Sequence, residues 1–276
     1  MCYTLFRLKH KQNFIIRGIK MTLSALSFSP DYIVSQLLGI PGFVLFLCFR
    51  GFCQAWTARK LGDDTAYLMG YMSMNPTKHI NLIGFIFILI FGFGFSNPVP
   101  VNTRKFKKIK RDNAIQILSA PVSGIILMII STFLLYLLWF IGIKTELASN
   151  LVPPALYFTG SYNILSFVAT SAETASVAYT AILCIIGRTA LVSIFLAVFF
   201  MLPLPGLDGY NLIANFLPYK HYAKLYKIEK YSLFIFLGFI MLVEIFPGAY
   251  SIISVPANSL LNLFSSLFGQ LFGIFI

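Results

Sequence analysis

Long stretches without a single Asp, Glu, Lys or Arg limit the fold of this chain more than any other feature of its sequence. About 20 consecutive apolar residues are enough for a helix to cross a bilayer. We therefore predict roughly four to six membrane elements. The most apolar stretches are residues 32–49, 79–103, 113–143, 189–207, 231–243 and 245–276.

The overall composition agrees with a membrane protein. Hydrophobic residues make up 58% of the chain and charged residues only 11%, whereas soluble domains carry about 25% charged residues. So few charges cannot cover a water-facing surface, and the mean hydropathy of +0.82 fits the same class. We predict an all-α polytopic membrane protein.

The net charge of +12 invites a nucleic-acid-binding interpretation, but the distribution of the charge argues against it. The basic residues form blocks between apolar stretches, at Arg7–Lys20, Arg104–Arg111 and Lys220–Lys230. Such blocks are typical of cytoplasmic loops that lie near anionic lipid. We expect membrane lipids, and no nucleic acid, as partners.

Two of the apolar stretches contain sequence signals for where their membrane elements end. The first is expected to continue as a helix through Arg50 to about Leu61, with Gly62 as its stop signal. The stretch 79–103 ends in glycine-rich sequence followed by NPVPVN. It is therefore predicted to be a re-entrant or shallow element, with a membrane-associated loop or strand, instead of a full span.

Three segments of the chain carry motif-like sequence. They read FRGFCQAWTARKLGD with its sequel ARKLGDDTAYLMGYMSMNPTKHINLIG, then FSNPVPVNTRKFKKIKRD, and finally FFMLPLPGLDGYNLI. Together they resemble one family, the compact bacterial site-2 proteases, which are intramembrane zinc metalloproteases. The resemblance covers roughly residues 30–220, and the segment from Pro98 to Asn102 and the L-D-G around Asp208 are its most specific parts. It implies a core of three membrane helices.

The resemblance also implies a zinc site, which this sequence departs from. In the family, H-E-x-x-H supplies two histidine ligands and a glutamate that handles protons, and the aspartate of L-D-G is the third ligand. Here the two histidine positions hold Arg50 and Gln54, the glutamate position holds Gly51, and only Asp208 remains. Arginine offers a metal no lone pair and glycine has no carboxylate. We expect no catalytic residues, no zinc and no other cofactor.

Further departures concentrate on polar residues near the site. Family asparagines fall on Gly124 and Phe200, and the aspartate of an H-I-D loop motif falls on Asn81. A substitute metal site built from Cys53, His79 and Asp208 is disfavoured, since Cys53 lies about 100° around the helix from Gln54. The scaffold positions that persist are expected to shape a groove: Asn97, Pro98, Pro100, Asn102, Pro205 and Gly209.

An arginine inside a membrane is costly and usually faces the protein interior with a partner. One hypothesis is that Arg50 replaces the charge of the metal and forms a buried ion pair with Asp208. The alternative is that Arg50 extends to the lipid headgroups from near the helix end.

The two residues meet only if the first helix runs from outside to inside. The basic residues before Met21 contradict that orientation, so we hypothesise that residues 1–20 are an upstream extension or a misassigned start. The expected division is an N-terminal extension at 1–30, a membrane core at 31–218, and a basic cytoplasmic loop with C-terminal helices at 219–276.

The functional expectation is a pseudoprotease of a bacterial cytoplasmic membrane that binds or regulates transmembrane segments of other membrane proteins. Two alternatives stay open. One is an active intramembrane zinc metalloprotease with non-standard ligands, and the other is a small transporter or channel.

Overall fold

The computed structural model describes residues 30–91, 94–145, 154, 157–158, 174–218, 220 and 222–273. The predicted N-terminal extension therefore lies almost wholly outside the described residues. A 3₁₀ turn is formed by Thr103–Lys105. The helices are α1 Pro30–Lys60, α2 Thr65–Leu68, α3 Pro76–His79, α4 Leu82–Phe91, α5 Ile109–Lys144, α6 Thr174–Phe200, α7 Asp208–Phe216, α8 Tyr222–Glu229, α9 Ser232–Ile245 and α10 Pro247–Gly273.

Four of these helices are long and apolar enough to cross a membrane, which confirms the predicted polytopic all-α fold. The candidate spans are Gln36–Lys60, Ile109–Lys144, Val177–Phe200 and Gly248–Gly273. Helix α9 has 14 residues, which is short for a span.

The predicted end of the first helix is confirmed. Helix α1 ends at Lys60, and Gly62 adopts a φ of +107°, where glycine is favoured over other residues. The amide of Asp63 donates to the carbonyl of Ala58 and that of Gly62 to the carbonyl of Arg59. This pair of bonds is a Schellman motif, which satisfies the last carbonyls of the helix.

The helix that contains most of the apolar stretch 189–207 has different bounds from the stretch itself. Helix α6 begins at Thr174 and ends at Phe200. Residues 201–207 instead form the turns that lead into α7. Arg188, which precedes the apolar stretch in the sequence, therefore lies in the middle of a candidate span.

Helices α1, α5 and α6 pack against one another around a common core. Phe46, Leu127 and Ala197 represent the three helices in one buried cluster. Gly124 marks the tightest approach, because a β-carbon there would lie 2.6 Å from the β-carbon of Ala197. Helix α10 adds Leu261 to a second buried cluster that α5 and α6 complete.

The segment between α3 and the 3₁₀ turn goes out and returns. Helix α4 is only 10 residues long, about 15 Å. A β-carbon on Gly84 would lie 1.9 Å from the carbonyl oxygen of Phe95, so the returning chain packs directly on α4. The amide of Asn97 then donates to the carbonyl of His79 at 3.0 Å. The chain therefore turns back along α4, and its predicted re-entrant position in the membrane stays a prediction. Residues 94–102 are extended or irregular, without an assigned strand.

Candidate functional site

Arg50 and Asp208 form a buried, forked ion pair. The guanidinium Nη2 lies 2.6 Å from both Oδ1 and Oδ2 of Asp208, and Nε lies 3.1 Å from Oδ2. Both side chains are 6% exposed. The contact spans 158 positions in the chain and joins α1 to the start of α7. Arg50 therefore faces the protein interior, not lipid headgroups.

Three further side chains complete the surroundings of this pair. Gln54, one turn after Arg50, donates from Nε2 to Oδ1 of Asp208 at 3.3 Å. Arg50 also donates from Nη1 to the hydroxyl of Ser96 at 2.8 Å. The ring of Phe200 lies 4.2 Å from the guanidinium carbon, a cation–π contact. Both carboxylate oxygens of Asp208 thus accept hydrogen bonds from α1.

Local backbone geometry brings Asp208 to this point. Gly206 turns the chain with a φ of +91°. Asp208 is the first residue of α7, where the helix dipole favours a negative charge. Gly209 packs so tightly on the end of α6 that a β-carbon would lie 2.0 Å from the carbonyl oxygen of Met201. The glycine of the D-G pair is therefore needed for close packing.

The position of the family glutamate is filled by another side chain. A β-carbon on Gly51 would lie 2.1 Å from Nδ1 of His79, so the imidazole occupies the space beside the glycine. His79 is 1% exposed. Its Nε2 lies 2.8 Å from the carbonyl oxygen of Ser73, which requires the proton on Nε2 and leaves the lone pair on Nδ1. Nδ1 has no hydrogen-bond partner.

The environment of His79 favours the neutral imidazole. Burial lowers the pKa of His79, and the nearby positive charge of Arg50 lowers it further. The hydrogen bond to the carbonyl of Ser73 acts in the opposite direction but does not outweigh these effects. The pKa therefore lies below the ordinary value of 6.5.

The persistent asparagines hold the segment that carries Ser96. Asn97 donates from its side chain to the carbonyls of Ile80 and Lys78 at 3.0 and 3.3 Å. Its Oδ1 accepts from Asn81 at 3.3 Å. Asn102 accepts from the amide of Arg104 at 3.2 Å and caps the 3₁₀ turn. These contacts are structural, and they place Ser96 against Arg50.

Asp63, from the LGD sequence, fastens the other end of this segment. Its Oδ2 accepts from the amide of Asn102 at 2.6 Å, and its Oδ1 accepts from the amide of Thr65 at 3.0 Å. Burial raises the pKa of Asp63. The bonds from Thr65 and Asn102 and the charge of Lys105 outweigh that effect, so the pKa lies below its ordinary value.

A cavity of about 550 Å³ lies beside the Arg50–Asp208 pair. Five residues with uncharged polar side chains line it: Gln54, Ser96, Gln116, Asn211 and Ser232. Among the persistent positions, Pro98 and Pro205 also line it, while Pro100 does not. Its apolar wall includes Ile83, Phe95, Val99, Ile117, Leu233 and Phe236.

The cavity has an apolar edge between α4 and α9. Ile83 and Leu233 line it and are also 60% and 44% exposed. Next to this edge the two helices touch, since the rings of Phe87 and Phe236 meet edge to face at 5.9 Å. Two apolar residues of the lining, Ile83 and Leu233, are therefore also exposed at the surface of the protein.

The donors around Asp208 do not match those of a family zinc site. The Arg50 guanidinium has no lone pair and binds both oxygens of Asp208, and Gln54 faces the carboxylate with its amide N–H. Across the described part of the chain, no group of three or more His, Cys, Asp or Glu residues could hold a metal ion. Cys53 is partly exposed and is not part of the cavity lining. These residues do not fit zinc as the family binds it.

Comparison with known proteins identifies the family. The chain is 32% identical over 220 residues to "Putative zinc metalloprotease YwhC" of Bacillus subtilis (strain 168), and the match covers 79% of this chain and 86% of YwhC. The chain belongs to the site-2 protease family. No protein-family model matches it, and no solved structure matches it significantly.

Several site residues of this member of the site-2 protease family could not be predicted from the sequence. Ser96 precedes the NPVPVN segment and carries no motif signal of its own. Phe200 was noted only as a lost asparagine, yet its ring covers the guanidinium of Arg50. Gly51 was noted as a lost carboxylate, and its pairing with His79 was not foreseen. In these two cases the departure from the family pattern was itself the available signal.

Proposed function

We propose that this protein is a catalytically inactive site-2 protease of a bacterial cytoplasmic membrane, and that it binds membrane-embedded segments of other proteins in the cavity beside Arg50 and Asp208. The observation that carries the proposal is the forked contact of Arg50 with both oxygens of Asp208. A permanent positive charge takes the place where the family holds its metal, so no water is activated there.

The absence of a proton-transfer group at position 51 supports the same proposal. A general base must lie within hydrogen-bond reach of the water it activates. Gly51 offers no such group, and the imidazole beside it, with its lowered pKa, is enclosed and does not line the cavity. Neither residue can replace the family glutamate.

The cavity supports a binding role. Its volume of about 550 Å³ lies in the range of ligand sites, roughly 300–1,000 Å³. It combines an apolar wall with uncharged hydrogen-bonding side chains, and two of its apolar lining residues, Ile83 and Leu233, are exposed. That combination suits an apolar peptide segment whose backbone needs polar partners at one end.

Metal content tests the inactive part of the proposal. We expect the purified protein to hold far less than one zinc per chain, with the same background in Asp208→Ala. Stoichiometric zinc that disappears in Asp208→Ala would overturn the proposal and favour an active enzyme with non-standard ligands.

Photo-crosslinking tests the binding part. The probe is a synthetic Leu/Ala peptide of about 20 residues, reconstituted with the full chain in phosphatidylcholine vesicles. A photoreactive amino acid at Leu233, which lines the cavity, should capture the peptide intact. The same label at Leu267, which is also exposed but does not line the cavity, is the matched control. Equal capture at both positions would mean that the cavity does not bind the peptide.

A further inference from the structure

Glu229 is the one charged residue of the described cavity lining that is left without an opposite charge. The charged residues of the lining are Arg50, Asp208 and Glu229, and the first two neutralise each other at 2.6 Å. Within the described residues, Glu229 forms no ion pair. The cavity therefore has a net charge of −1, located at its Glu229 end.

The negative charge of Glu229 is opposite in sign to the charges of the neighbouring lysines. The lysines near it, Lys224, Lys227 and Lys230, give the α8 region a positive charge, yet none of them lines the cavity. Glu229 is exposed, so it gains nothing from burial or from a buried partner. A carboxylate of this kind is available to a partner that enters the cavity.

The position of Glu229 beside the apolar wall indicates which chemical groups that partner carries. Glu229 ends α8, and the apolar helix α9 begins at Ser232. Along the chain, the carboxylate of the lining therefore comes directly before Leu233 and Phe236, which belong to the apolar wall. A fitting occupant has an apolar body and a positive charge at one end.

We propose that Glu229 selects membrane segments that carry a lysine or arginine next to their apolar stretch. This proposal rests on the proposed binding function and names the class of segment that the cavity prefers. Membrane proteins supply such segments, because lysine and arginine accumulate at the cytoplasmic ends of their helices. The apolar stretch contacts the wall between α4 and α9, and the basic side chain reaches the carboxylate of Glu229.

The experiment varies one end of the peptide probe. Three Leu/Ala peptides end in two lysines, two glutamines or two glutamates, and each is titrated against the full chain in phosphatidylcholine vesicles. An exposed ion pair contributes about 0.2–1 kcal/mol, so we expect the lysine peptide to bind up to about fivefold tighter than the glutamine peptide. Glu229→Gln should remove that preference, so that the lysine and glutamine peptides bind with equal affinity.

Two control variants separate a specific contact from general charge. Glu229→Asp keeps the carboxylate and should retain part of the preference. Lys230→Gln changes an adjacent charge outside the cavity lining and should not weaken the preference. Since Glu229 is exposed, all three variants should melt at the temperature of the unchanged protein.

The outcomes distinguish the proposed role of Glu229 from the proposed binding function on which it rests. Equal binding of the lysine and glutamine peptides, or a preference for the glutamate peptide, would overturn the role of Glu229 and leave the binding function standing. No binding of any peptide would overturn the binding function itself. A lysine preference that persists in Glu229→Gln would assign the selection to another group.

Discussion

The imidazole of His79 packs on the backbone of Gly51, where a β-carbon would lie 2.1 Å from its Nδ1. The position where the family carries a glutamate is therefore too crowded for any side chain. We expect Gly51→Ala to destabilise the protein by about 1–3 kcal/mol, the usual cost of overpacking. Thermal unfolding in detergent measures this loss.

Two variants show whether the loss comes from His79. Adding His79→Ala to Gly51→Ala should restore much of the stability, because the colliding ring is gone. Gly238→Ala introduces the same methyl group at a helical position with nothing within 4 Å, and should be nearly neutral. A loss in Gly51→Ala that persists without His79 would point to a different cause.

Acid should weaken the packing of His79. Its folded-state pKa lies below 6.5, so the unfolded chain takes up a proton at a higher pH than the folded protein does. The stability that the neutral imidazole contributes is complete above about pH 6.5 and is lost as the pH falls from there toward the folded pKa. We expect the melting temperature to drop between about pH 7 and pH 5.5.

His79→Gln removes the titrating group and should flatten this part of the profile. Asp63 does not interfere, because its pKa is already below 3.8 and it stays ionised across the range. An unchanged profile in His79→Gln would assign the acid sensitivity to another residue.

Substitution of Arg50 or Asp208 alone should lower the stability of the protein much more than substitution of both together. Arg50→Met leaves the carboxylate of Asp208, whose side chain is 6% exposed, without its charged partner, and Asp208→Leu leaves the guanidinium of Arg50 equally unpaired. Breaking a buried pair costs about 3–5 kcal/mol, whereas replacing both partners by apolar groups is often close to neutral. The double variant should therefore be more stable than either single variant.

Denaturation of all four proteins completes the double-mutant cycle. Arg50→Lys tests the fork itself, since an ammonium group cannot reproduce two parallel bonds to one carboxylate, and it should lie between Arg50→Met and the unchanged protein. Additive losses in the double variant would show that the two side chains do not act as a pair.

The elements of the fold were predictable where local signals decide them. The charge-free stretches predicted the long helices, and Gly62 predicted where α1 ends. The start of α6 was not predictable in this way, because Arg188 interrupts the apolar pattern while the helix continues through it. Tertiary packing overrides such a local signal.

The contacts of the candidate site were likewise predictable only in part. The cost of an unpaired charge in a membrane, together with the family motif, made the pair of Arg50 with Asp208 one of two hypotheses. The sequence did not choose between this pair and an Arg50 that extends to the lipid headgroups. The contacts of Ser96 and Phe200 with Arg50 depend on distances between segments that are 46 residues or more apart. No spacing rule in the sequence supplies those distances.

Restoring the H-E-x-x-H motif of the family should also require replacement of His79. Positions 50 and 54 both project onto Asp208, since Arg50 and Gln54 contact its carboxylate. Arg50→His and Gln54→His would therefore direct two imidazoles to the aspartate, which is the ligand set of the family. The glutamate of Gly51→Glu, however, would collide with His79. We expect this triple variant to bind little zinc, and the quadruple variant that adds His79→Ala to bind about one zinc per chain.

Zinc content after dialysis measures both variants, with Asp208→Ala in the quadruple background as the matched control. That control should lose the metal, because only two of the three protein ligands remain. Full zinc binding by the triple variant would mean that His79 moves aside at little cost. A quadruple variant that holds no zinc after dialysis would mean that positions 50 and 54 do not hold imidazoles at the geometry that zinc requires.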